Sequence, residues 1–374
     1  MSSYEGARVA APRVEAHFER HITAARKEGR EPLAYAPEIQ TLEQIIDAAF
    51  WASLRREEGY VPRISLAFLP PAQSDRPLMF ERPLALSPTS LARVAPAVER
   101  PGIHLGVWPQ DGQLSVWGTT RAIPMYCFVL EVAAPGLLVI KHHRGEESGK
   151  FVNVAVLEGD HLKMIDERAS TLPDCPPLLT SLLGFDSPSA WVESVNVLVQ
   201  LAVSMRAHRR GGALLVVPAG SGAWRESIVS PMQYAVAPFA ELFDLTRETP
   251  DDRRVWQEAL DRAVDTVAGL TAVDGATILT DRYELLGFGA KIARRKGSPQ
   301  VEALTVTEPI EGAMPSVVHP SQLGGTRHLS AAQFVHDQHD SVALVASQDG
   351  QFTIFAWSPC ETMVHAHRIE ALLL

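Results

Sequence analysis

Cysteine is scarce in this sequence, and the little there is lacks any pairing pattern. Cys127, Cys175 and Cys360 are three in number and far apart. An odd count with no Cys-x-x-Cys spacing excludes a disulfide framework and a cysteine-based zinc site. The simplest reading is three buried thiols in a reducing compartment. Long apolar runs are missing as well. The longest, such as 213–218, fall far below the roughly 18–20 residues that span a bilayer, so no transmembrane helix is expected. The opening segment has no apolar h-region, so no signal peptide is expected and a cytoplasmic location is. Positive charge is in deficit: 34 Lys and Arg stand against 44 Asp and Glu, a net charge of −10. That balance opposes polynucleotide partners, whose affinity comes from cations neutralising phosphates. It is silent on a small nucleotide, which needs only local cations and amides.

What is present is ordinary for a globular chain. Apolar residues make up 46 % and charged residues 21 % of 374 residues, a length that accommodates two domains. The proline-rich stretch 171–177 is the best linker, which places a regulatory domain over 1–185 and a second domain over 186–374. In the first, the pattern predicts a helix near 14–28 and an extended arm. A firmer helix starts at Thr41, where Thr41 and Gln44 form a capping-box pattern ahead of Leu42, Ile45, Ile46, Ala49 and Phe50. A strand follows at 61–69. Short β-branched and aromatic runs then fill 102–166, with turns at 110–112 and 158–160.

The second domain reads as a helix over 187–209, a strand over 213–217, and helices over 232–243 and 251–270. Strands over 276–280 and 285–292, a helix over 331–338 and a hairpin of 342–347 with 352–357 complete it. The fold class is α/β (α+β): a C-terminal mixed sheet flanked by helices, preceded by a strand-rich α+β domain.

Three segments of the second domain carry chemistry. Asp274-Gly275-Ala276 puts an acid and a glycine at the mouth of an apolar strand, where a carboxylate can hold a divalent metal or orient a hydroxyl. Asp-Gly is equally a common turn. Gly324-Gly325-Thr326-Arg327-His328 leads into a helix, so backbone amides and a guanidinium are available to phosphate; an ordinary capped helix start reads the same way. Ser347-Gln348-Asp349-Gly350 joins the last two strands, and Asp-Gly there also suits a hairpin turn.

Taken in this order, with the strand at 212–217, the segments resemble the diadenylate cyclase (DAC) family over roughly 190–360. The segments 135–141 and 150–160 resemble the sensor-like domain that precedes some soluble members. The resemblance implies that two ATP molecules condense into cyclic di-AMP with loss of two pyrophosphates, on a homodimer or higher oligomer. It implies catalytic roles for Asp274, Arg327 and His328, and substrate contacts at Gly275, Ala276, Gly325, Thr326 and Ser347. Mg²⁺ or Mn²⁺ would be held by Asp274 and Asp349. Neither nucleic acid nor membrane is an expected partner. The alternative is a degenerate domain that senses a nucleotide or cyclic dinucleotide without turnover.

The sequence departs from the family at Leu329, where the motif has a second arginine, and at Gln348, where it has an acid. A cation is expected to stand in for the lost arginine. Arg282 and the run Arg294-Arg295-Lys296 are nearest in sequence, with Arg282 favoured and the run read as a solvated loop. His336 and His339 read as solvent-facing beside Asp337 and Asp340. Trp224 and Tyr234 are packing residues that could also stack on a base. Lys141-His142-His143-Arg144 would need further ligands to form a metal site.

Overall fold

The computed structural model describes residues 3–57, 59–143, 151–167, 197–248 and 252–374. They divide into one unit of Met1–Ile165 with Leu374 and another of Asp166–Leu373. The expected linker at 171–177, the boundary at 185/186 and the start of the 187–209 helix lie outside the described residues.

In the N-terminal unit, helix α1 (Glu5–Lys27) begins well before Val14 and runs through Pro12. An internal proline removes a hydrogen bond, but Ala7, Ala10, Ala11, Val14, Phe18 and Ile22 all enter the core and offset that loss. Helix α2 (Ile39–Ser53) starts two residues before Thr41, so the capping-box pattern is not used. Its first amide is satisfied from outside the helix instead: Ile39 N–H donates to Glu15 Oε1 of α1 at 3.0 Å.

Beneath these helices lies an eight-stranded sheet. Its strands in chain order are β1 (Ile64–Phe68), β2 (Leu78–Ala85), β3 (His104–Gln110), β4 (Gln113–Thr120), β5 (Phe128–Ala134), β6 (Leu137–His143), β7 (Phe151–Glu158) and β8 (His161–Met164). The spatial order is β2-β4-β3-β1-β5-β6-β7-β8. Period-2 alternation decides its faces. Ile64, Leu66 and Phe68 of β1 join the core shared with α1 and α2. Ala67 turns to the opposite face, with Trp117 and Val129. The expected turn at 110–112 forms with Asp111 at φ 50° and Gly112 at φ 78°, as a two-residue hairpin requires. Lys141 pairs with Glu131 at 2.5 Å, and Arg144 lies outside the described residues.

The C-terminal unit contains helix α4 (Val197–Ala207), strand β9 (Gly212–Val217) and strand β10 (Tyr234–Phe239). Helices α5 (Glu241–Arg247) and α6 (Arg253–Leu270) follow, then strands β11 (Ala276–Thr280), β12 (Leu285–Ala290), β13 (Leu304–Thr307) and β14 (Ser316–Val318). Helix α7 (Thr326–Asp337) and strands β15 (Val342–Ala346), β16 (Phe352–Ser358) and β17 (Met363–Arg368) complete it; the short α3 (Pro88–Val94) belongs to the first unit. The nine strands follow the order β10-β12-β11-β9-β15-β16-β17-β13-β14, with parallel pairing at β9–β11 and β13–β17. A mixed sheet with helices is therefore correct. The helix expected over 232–243 is not, because its first part is strand β10. Proline inside a helix costs about 3 kcal/mol, whereas Pro238 on an edge strand falls within a register irregularity of the β10–β12 ladder.

Cys127 is buried and its thiol pKa is raised by that burial, but Cys360 is exposed, which corrects the expectation of uniformly buried thiols. Cys175 lies outside the described residues.

Two buried histidines make acid stability predictable. His104, 1 % exposed, contacts Ser65 Oγ through Nδ1 at 2.7 Å. Burial, partly opposed by Glu131, lowers its pKa from 6.5 to about 4. His367, 2 % exposed, is lowered to about 4 by burial and by His365. Both stay neutral where the unfolded chain is protonated. Their contribution is therefore intact above pH 6.5 and lost as pH falls from there to about 4. Each costs about 3 kcal/mol at the acid end of that window. The urea midpoint should accordingly drop between neutral and mildly acid pH, and His104→Gln should flatten the drop. An equally steep fall in that variant would assign acid sensitivity to other groups.

Candidate functional site

Register brings the expected motifs to one edge of the C-terminal sheet. Gly212 of β9 pairs with Ala346 of the antiparallel β15, and Leu214 pairs with Thr277 of the parallel β11. The starts of β9 and β11 and the end of β15 therefore share that edge, which carries Gly211, Asp274-Gly275 and Ser347–Gly350. Helix α7 begins at Thr326 with Gly325 as its N-cap, not at 331, so Arg327 and His328 lie in its first turn. The guanidinium of Arg327 crosses to β9. A methyl group built on Gly211, itself at φ +71°, would lie 3.0 Å from Arg327 Nη1 and 3.4 Å from the Ala346 carbonyl oxygen.

A cavity of about 410 Å³ opens there, with Gly325, Thr326, Arg327, His328, Ser347 and Asp349 among its walls. The first-turn amides of a helix have no intrahelical acceptor, and the macrodipole adds partial positive charge. Arg327 has no ion-pair partner among the described residues. His328 is 3 % exposed, and its Nε2 is buried without a hydrogen-bond partner. Its ring stands edge-on to Phe355, with centroids 6.0 Å apart. Burial lowers its pKa, opposed by Asp349 and assisted by Arg368, so the imidazole is neutral at pH 7. A buried polar atom left unsatisfied costs about 1–3 kcal/mol.

The turn opposite α7 is braced from behind. Asp349 Oδ1 accepts the Ser347 hydroxyl. Gln348 donates through its amide to the Arg210 carbonyl at 3.4 Å, and Arg206 Nε donates to the Gly350 carbonyl at 3.3 Å. Arg206 and Arg210 were not among the expected site residues. They precede the strand as Arg206-Ala-His-Arg-Arg210, and sequence order alone did not place them behind a turn 140 residues later.

Asp274 is exposed at the same edge but does not line this cavity. The order β11-β9-β15 sets it two strand spacings from Ser347, on the order of 10 Å. Gly275 has a different reason from the one expected. Its φ is +103°, and an added Cβ would lie 2.5 Å from the Gly289 carbonyl carbon, so its bareness admits strand β12. Ala276, 1 % exposed, turns its side chain into the core and can meet a ligand only through its backbone.

Asp274 and Asp349 belong to no group of three His, Cys, Asp or Glu donors among the described residues. One or two carboxylates completed by water and nucleotide phosphates is the usual setting for Mg²⁺, so these residues fit a metal that arrives with its nucleotide.

The expectation for Arg282 needs correction. Arg282 lies in the turn after β11, at the end opposite Asp274, so it cannot replace a lost phosphate contact at this edge. The run at 294–296 is an exposed loop, as expected, but one whose backbone is anchored. Arg295 N–H donates to Asp337 Oδ2 at 2.8 Å, and its guanidinium pairs with Glu226 at 2.7 Å. His339 is exposed, as expected, and His336 is half-buried; the neighbouring Asp337 is buried and also accepts from Ser298 Oγ and Gln333 Nε2. His339 stacks on Trp357 at 3.6 Å. Trp224 is buried and donates to the Ser221 carbonyl, while Tyr234 is 42 % exposed and stacks on Phe288.

A search of curated proteins finds no match to the chain. Residues 31–121 match the family model described as probable sensor domain DACNV. The matched segment runs through α2 and β1–β4, ahead of the strands at 135–160 that carried the sensor resemblance, and no model of a DAC catalytic domain matches. Residues 31–121 of the N-terminal unit are therefore similar to a sensor domain of the DACNV type, the kind found in proteins associated with diadenylate cyclase domains.

Proposed function

We propose that the C-terminal unit is a diadenylate cyclase domain, converting two ATP molecules into cyclic di-AMP and two pyrophosphates, with the DACNV-type domain as its sensor. One observation carries the reading: His328, whose buried Nε2 has no partner, Arg327, with no ion pair among the described residues, and the first turn of a helix line one cavity, at the edge where Asp274 precedes β11. Such a combination suits a polyphosphate. In this reading Thr326, Arg327 and His328 hold phosphates, with Gly325 supplying backbone. Asp274 orients the ribose 3′-hydroxyl that attacks the α-phosphate of a second nucleotide, and pyrophosphate leaves. Positioning and charge neutralisation are most of what phosphoryl transfer demands. Bound Mg²⁺ or Mn²⁺ would add charge neutralisation. One nucleotide per cavity means two copies of the chain must meet.

A second reading, nucleotide sensing without turnover, has its own support. The Gln348 amide is engaged with Arg210 and brings no charge, and Leu329 contributes none either.

Incubating the full chain with ATP and Mg²⁺ or Mn²⁺, then identifying products by mass, separates the two. Cyclic di-AMP with two pyrophosphates per product is the expected result. Tight ATP binding with no product would leave only the sensing reading.

A further inference from the structure

A second cavity, of about 390 Å³, lies on the other flank of α7. Helix geometry separates the two. Arg327 and Leu329 are two residues apart, hence about 200° around the helix; Arg327 lines the first cavity and Leu329 the second. Ile292, Val301, Pro320 and Leu329 form apolar wall, and Arg294 and Ser330 add polar groups.

The segment carrying Arg294 is strapped down along the helix. Asp337 takes hydrogen bonds from Arg295 N–H and Ser298 Oγ. Gln333 accepts from Val301 N–H at 3.0 Å and donates to the Pro299 carbonyl at 3.0 Å. This bracing spends the charge of Arg295 on Glu226. Arg294 keeps its charge: it is exposed and has no ion-pair partner among the described residues. An unpaired arginine on an anchored backbone, beside an apolar wall, loses little freedom on gripping an anion.

We propose that this cavity is a second anion-recognition site of the C-terminal unit, in which Arg294 holds a phosphate of ATP while the nucleoside lies against Leu329, Ile292 and Val301. The cavity lies in the usual range for a small-molecule site, and a planar guanidinium fork matches phosphate oxygens. The inference rests on the reading that this unit binds ATP. It adds that Leu329 is an apolar contact rather than a vacancy in the phosphate grip.

Binding of ATP and of adenosine is compared by calorimetry for the full chain and for Arg294→Ala, Arg294→Lys and Arg282→Ala. Arg294→Ala should weaken ATP about ten- to a hundredfold and leave adenosine unchanged. Arg294→Lys should recover part of the loss, and Arg282→Ala should match the parent. Unaltered ATP affinity in a folded Arg294→Ala protein overturns the inference while leaving the first cavity's role standing. Equal losses for ATP and adenosine would reveal a structural effect and overturn it too. A parent protein that binds no ATP removes the underlying reading and this one with it.

Discussion

Replacing Asp274 by Asn is expected to reduce cyclic di-AMP formation at least about a hundredfold while leaving the melting temperature near that of the parent. The two side chains have nearly the same shape, and Asp274 is exposed, so the substitution empties no core space. What it removes is the charge that would hold the attacking hydroxyl, or a metal, at the strand mouth. Separation of activity from stability is therefore the diagnostic feature. Turnover by a folded Asn variant within a few-fold of the parent would reject Asp274 as a catalytic group. The site would then reduce to the phosphate grip of Thr326–His328.

Gly275→Ala should act in the reverse way, through the fold first. The position sits at φ +103°, and an added Cβ would meet the Gly289 backbone at 2.5 Å. Backbone in that region costs a side-chain-bearing residue roughly 1–3 kcal/mol. Overpacking adds about 1–3 kcal/mol, and here the neighbour is backbone, which cannot swing aside as a flexible side chain can. A loss of at least about 3 kcal/mol is expected in denaturant unfolding, with nucleotide absent throughout. Parental stability combined with weakened ATP binding would restore the first reading of Gly275, as a residue kept bare for ligand approach. The adjacent pair Asp274-Gly275 thus contains one residue tested by chemistry and one tested by stability.

Much of the architecture was legible locally. Runs rich in β-branched and aromatic residues at 104–108, 126–132 and 151–159, bounded by turns, predicted β3, β5 and β7, because such side chains suit a largely buried strand. The three loop motifs were legible as residue types able to handle phosphate or metal. Misreadings arose where a distant partner overruled a local pattern. Thr41 offers a cap, yet Glu15 of another helix takes the amide of Ile39 and starts α2 earlier. The stretch at 232–239 has apolar residues that suit a helix, yet β12 offers an edge and Pro238 prefers it.

By itself, the sequence determined composition class, the position of most strands, and a candidate set of Asp274, Arg327, His328 and Asp349 in a definite order. Only the tertiary structure decided which of these meet. Parallel pairing of β9 with β11 and antiparallel pairing with β15 gather three loops separated by up to 140 residues at one edge. The same pairing sends Arg282 to the opposite end of β11. The strap of Asp337 and Gln333 turns a run of three cations into one paired arginine and one without an ion pair among the described residues. The physical reason is that propensity and periodicity act over a few residues, whereas cavities, unsatisfied atoms and close backbone approaches arise from long-range pairing, which local pattern does not encode.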